Sequence, residues 1–109
     1  MTQAMENEFR IVFSTFPNME AAKTLANQLL AKKWVACVNI LPKLTSIYRW
    51  KGEIVEEQEI LCIFKTSSMR VGDVISYIGE HHPYDCPEAI SFTIEEGLPG
   101  YLEWLDKNT

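Results

Sequence analysis

Residues 81–88 read HHPYDCPE, which brings two histidines, an aspartate, a cysteine and a glutamate into eight positions between two prolines. Both histidines of the chain lie here. Imidazole nitrogen and carboxylate oxygen suit Cu(II) or Zn(II), and a thiolate adds preference for soft copper. The alternative reading is a stiff turn: His81 and His82 end a helix, where partial positive charge complements the helix dipole, and Tyr84 with Pro83 and Pro87 fixes the exit. A catalytic reading pairs His81 with Glu88 as base and orienter and takes Cys86 or Ser14 as nucleophile. Neither nucleophile sits in a known elbow or catalytic-loop motif. There is also no glycine-rich phosphate loop and no C-x-x-C pair, so the chain reads as a binding protein and not an enzyme. Cys37 and Cys62 fall in apolar runs and read as inert core thiols.

The remaining composition narrows the partners. At 109 residues the chain is one ordinary domain. Its formal charge of −5, with no basic cluster longer than Lys32-Lys33, argues against nucleic acid. No apolar stretch approaches the roughly 20 residues that span a bilayer, so no membrane partner is expected. The polar, acidic start has no signal-peptide pattern, and three scattered cysteines fit a reducing compartment. Together these give a cytoplasmic expectation.

The elements that must carry residues 81–88 follow from periodicity. Residues 1–8 read as a flexible segment, and 9–109 as a single domain. FRIVFST is a β-branched and aromatic strand ending before Pro17. Asn18 offers an N-cap to a helix whose stripe is Ala22, Leu25, Ala26 and Leu29, running to about Lys33. The apolar runs 34–50 and 53–67 flank Lys51-Gly52 and predict one long antiparallel hairpin, with a bulge at Pro42. Ser68 is expected to cap a second helix with stripe Val71, Val74, Ile75 and Ile78, closing at the histidines. Residues 89–94 form a fourth strand, and Leu98, Tyr101, Leu102 and Leu105 mark a final helix opened by Pro99. The fold class is therefore α+β: a ferredoxin-like βαββαβ sandwich with a long second-to-third-strand hairpin and a C-terminal helix.

Two helices cover only one face of such a sheet, yet both faces of VACVNIL and ILCIF are apolar. An uncovered apolar face of that size marks an interface, so an obligate oligomer of high thermal resistance is expected. Tyr48 and Trp50, at the hairpin tip, are the aromatic anchors suited to reach a neighbour. Tyr101 and Trp104 on the last helix either join that interface or fold beneath their own sheet.

The series ACVNILP, Y-x-W-x-G, FKT, HPY-x-x-PE and YL-x-W, in this order over nearly the whole chain, resembles the CutA divalent-cation tolerance family. The resemblance implies a homotrimer like that of the PII signalling proteins and a role in tolerance of copper and other divalent metals. It also implies a metal site at His81 and Glu88 with a cysteine near the end of the first strand. Here residues 14–17 read STFP and hold no cysteine. Cys86 is the substitute if its turn faces inward. Cu(II) is the expected ion, with Zn(II) second. The alternative is a PII-like module that binds a small ligand between subunits, near His81 and lined by Arg49, Lys65 and Tyr84.

Overall fold

The computed structural model describes residues 8–109. Seven elements follow in order: β1 (Phe9–Phe16), α1 (Met19–Ala31), β2 (Cys37–Trp50), β3 (Glu53–Ser67), α2 (Val71–His81), β4 (Ile90–Thr93) and α3 (Pro99–Lys107). The four strands make one antiparallel sheet in the order β2-β3-β1-β4, which is the ferredoxin-like arrangement. Of the expected flexible segment, residues 1–7 lie outside the described residues, while the Glu8 carbonyl accepts the Ser68 amide at 2.7 Å.

Local signals place most of these elements. Asn18 caps α1, its side chain accepting from the Ala21 amide at 2.8 Å. The α1 stripe of Ala22, Leu25, Ala26 and Leu29 is buried, as are Val74 and Ile78 of α2. These side chains close against Val12 and Phe16 of β1 and Ile60, Cys62 and Phe64 of β3 to form the main core. Lys51 and Gly52 both take positive φ (51° and 84°), the signature of a type I′ turn, which makes β2 and β3 a tight hairpin. The register slips between Leu41 and Leu44, where Pro42 lacks a donor and Lys43 has φ 62°.

Three expectations shift. Helix α2 begins at Val71, after a turn, and not at Ser68: Arg70 occupies the cap position and makes no side-chain cap bond. Strand β4 keeps only residues 90–93 of the expected 89–94. Helix α3 does reach its own sheet, with Leu105 fully buried and Lys65 Nζ donating to the Tyr101 hydroxyl at 3.2 Å. Its cover is partial, however, and Leu41, Ile90 and Phe92 on the same open face remain exposed.

The hairpin outgrows the body. Strand β1 pairs with β3 only as far as the Phe16–Ile60 partners, so residues 44–59 pair with nothing but each other. The protein is accordingly elongated, 51 × 25 × 22 Å. Ile47 and Ile54 on this arm are 65% and 70% exposed. A lone two-stranded hairpin is marginal in water, so its apolar side chains need cover that the chain itself does not supply.

Candidate functional site

The loop after α2 is positioned by a histidine. His82 leaves the helix in extended backbone, as a residue before proline must, and its ring is buried against Phe16 with centroids 4.4 Å apart. The His82 Nδ1 accepts the Tyr84 amide at 3.0 Å, so Nε2 carries the proton and donates to the Thr15 carbonyl at 2.7 Å. Burial lowers the His82 pKa, against smaller upward pulls from the Thr15 bond and Glu59, and the neutral ring is the one this geometry requires. His82 is thus a structural clamp that ties the loop to the end of β1.

The clamped loop walls a cleft of about 400 Å³ on the open side of the sheet. Tyr84, Asp85, Cys86 and Glu88 form one side, and Thr15, Ser46, Tyr48, Trp50, Glu57 and Glu59 form the other. Glu59 is only 7% exposed and accepts the Tyr84 hydroxyl at 2.7 Å. Tyr48 donates to Glu57 at 2.8 Å. Four carboxylates line the cleft and no lysine, arginine or histidine does. This unbalanced charge shows in the titration of its members. Burial, then the nearby Glu59 charge, raises the Glu88 pKa, and burial followed by the Glu59 hydrogen bond drives the Tyr84 phenol far above its ordinary range. The hydrogen bond to Glu57 raises Tyr48 in the same sense.

His81 stands elsewhere. It lines a second concavity with Asn18, Glu20 and Gln28, its ring stacked on Tyr77 at 3.9 Å. His81 Nδ1 lies 3.0 Å from the Tyr77 carbonyl and donates to it, which leaves the Nε2 lone pair outward, the orientation a metal-binding imidazole takes. The structure therefore brings Cys86 and Glu88 to one cleft and sets His81 beside another. Arg49 and Lys65 line neither: Arg49 alternates to the face opposite Tyr48 and Trp50, and Lys65 lies under α3 bonded to Tyr101. Tyr84 is the one of the three expected ligand-cleft residues that lines the acidic cleft. Tyr101 and Trp104 pack on each other with centroids 5.5 Å apart and remain partly exposed. Ser14 is fully buried on the helix-covered face, and burial pushes the Cys62 thiol up to about 12.

Residues 10–108 match the family described as CutA1 divalent ion tolerance protein. The chain belongs to the CutA1 family. It is 44% identical over 99 residues to the divalent-cation tolerance protein CutA of Thermus thermophilus, covering 91% of this chain and 96% of that one. The crystal structure of that relative superposes with a TM-score of 0.89, over 93% of this chain and 98% of the other. CutA1 from Oryza sativa, 37% identical, superposes at 0.91 over 96% of each chain. The CutA homologue of Xenopus laevis is 44% identical over 93 residues, 85% of this chain, but the match spans only 62% of that relative's length.

Membership in CutA1 poses the question of how a divalent cation is held. The donor types fit, since the acidic cleft offers four carboxylates and a thiol. Their arrangement within one chain does not complete a site: among the described residues no three His, Cys, Asp or Glu side chains converge on one point. Glu57 and Glu59 are, moreover, each engaged by a tyrosine hydroxyl. These two glutamates escape a reading focused on residues 81–88, although their spacing carries the signal. In VEEQEIL, positions 57 and 59 lie two apart on one strand face, the face that also carries Leu61.

Proposed function

We propose that this CutA1-family chain acts as a homotrimeric divalent-metal-binding protein linked to cation tolerance, with Cu(II) the preferred ion and Zn(II) second. The observation that carries this reading is the acidic cleft, where Cys86 and Glu88 meet with no cationic side chain to neutralise them. His81 supplies the imidazole from the neighbouring concavity, its Nε2 being free of partners among the described residues. A set split between two concavities is completed by movement of the 81–88 loop or by a second copy. Support for the trimer comes from the half-covered sheet face and the unpartnered arm, with Tyr48, Trp50, Tyr101 and Trp104 at the contacts. No reaction is assigned, in keeping with the separation of His81 from Cys86 and the burial of Ser14. Three free cysteines fit a cytoplasmic setting. No described helix is long and apolar enough to cross a membrane.

Isothermal titration of Cu(II) and Zn(II) into wild type and the His81→Ala/Glu88→Ala double variant tests the proposal, with light scattering confirming a trimer in both. Sub-micromolar binding that vanishes in the variant is expected. Equal, weak binding in both proteins sinks the metal assignment.

A second reading is favoured by the size of the cleft, which lies in the range of small-molecule sites and far exceeds one ion. In it, the protein is a PII-like trimeric module whose cleft takes a small ligand, with Tyr84 in its wall.

A further inference from the structure

The small-ligand reading leaves the ligand's chemistry open, and the cleft itself restricts it. We propose that the cleft bounded by Glu57, Glu59, Glu88, Tyr48, Trp50 and Tyr84 binds a small aliphatic organic cation of the diamine class. The proposal rests on the small-ligand reading of this cleft.

Four observations converge on that class. First, the cleft wall carries four carboxylates and no side-chain cation, so an anionic metabolite meets uniform repulsion. Second, Glu59 is 7% exposed, oriented by Tyr84 through its Oε2, and its Oε1 accepts no hydrogen bond among the described residues. A buried carboxylate oxygen without a donor is costly, and an incoming N–H group relieves it. Third, three aromatic side chains share the cleft with the acids. Their ring faces attract ammonium groups and pack against methylenes, whereas an inner-sphere metal ion gains nothing from them. Fourth, the volume of about 400 Å³ accommodates a chain of several carbons, while no three metal-ligand side chains converge for a single ion. The acids at Glu57 and Glu59 beside Tyr48 and Trp50, with Asp85 and Glu88 across the cleft, suit a ligand charged at both ends.

The test uses metal-stripped full-length protein and isothermal titration with 1,4-diaminobutane. Butane-1,4-diol serves as the uncharged control of equal length, and inorganic phosphate and a panel of neutral amino acids as other ligand classes. Saturable diamine binding, absent for the diol and weakened at least tenfold in both Glu59→Gln and Trp50→Leu, is the expected result. Cys86→Ser should leave it unchanged, which separates this ligand from a thiolate-held metal. Glu57→Gln, at a more exposed position, provides a second acidic variant should Glu59→Gln fail to fold, and light scattering checks that each variant keeps its oligomeric state. Diamine binding equal in wild type and all three cleft variants overturns the proposal. So does absence of diamine binding, with two distinct meanings. If phosphate or an amino acid binds in a Tyr84-dependent manner, the small-ligand reading stands and the ligand class is wrong. If nothing in the panel binds, both fall.

Discussion

The body of the sheet and the arm of its hairpin are built from the same two strands and reach opposite outcomes. Over residues 60–66, β3 has β1 on one side, β2 on the other and helices above, so Cys62, Phe64 and Thr66 are completely buried. Over residues 53–59 the same strand has β2 alone, and Ile54 stands 70% exposed. The body closes its core from its own sequence. The arm carries residues just as apolar and gives them no partner, so its stability must come from another molecule. The cleft sits at the junction, with the clamped loop of the body on one side and Ser46, Tyr48 and Trp50 of the arm on the other.

The largest effect should come from breaking the arm while sparing the body. Ile47→Glu with Ile54→Glu forfeits about 1.5–3 kcal/mol of burial at each site for every chain of the assembly. Light scattering should then show dissociation toward smaller species, with far-UV circular dichroism retaining the helices. A double variant that stays fully trimeric would show that the arm is not the interface.

The second effect lies in the clamp. Because burial lowers the His82 pKa, the folded protein favours the neutral ring, while the unfolded chain protonates near the usual value of about 6.5. Stability from His82 is therefore complete above that value and declines as pH falls through it toward the folded pKa. Glu88, whose pKa is raised, acts in the opposite sense at lower pH, its proton favouring the folded state. His82→Gln should lose about 1–3 kcal/mol at pH 7.5 through the broken loop bonds. It should also show a flatter dependence of Tm on pH between 7.5 and 5.5 than wild type. Parallel profiles would remove His82 as the titrating clamp.

How much of this was legible depends on whether one strand face or one long-range contact carried the information. Asn18, the α1 stripe, the Lys51-Gly52 turn and the bulge at Pro42 each act over a few residues, and the sequence reading placed them correctly. The start of α2 misled because Ser68 is a good cap by type, yet its amide is drawn to the Glu8 carbonyl. At the site, residues 81–88 stood out by composition, but the one-residue step from His81 to His82 sends two like side chains to different surroundings. His82 is buried under Phe16, and His81 stacks on Tyr77. Nothing local distinguishes them. Glu59 reaches Tyr84 across 25 positions of sequence, a pairing visible only once the sheet is assembled.

The smallest expected effect has the opposite sign and tests the body alone. Strand alternation separates Ser14 from Thr15: Thr15 lines the cleft, and Ser14 lies across from Cys62 within the helix-covered core. The Ser14 hydroxyl is fully buried and is without a hydrogen-bond partner among the described residues. Leaving such a group unpaired costs more than replacing it with a methyl group, which fills nearly the same space. Ser14→Ala should therefore stabilise the protein by about 1 kcal/mol, read as a higher denaturant midpoint at unchanged slope. Ligand or metal binding should not change, because the substituted atom faces the core and not the cleft. If Ser14→Ala instead destabilises the fold or weakens binding, the hydroxyl has a partner in the assembled protein. The body would then depend on its neighbours as the arm does, and the contrast between the two regions would narrow.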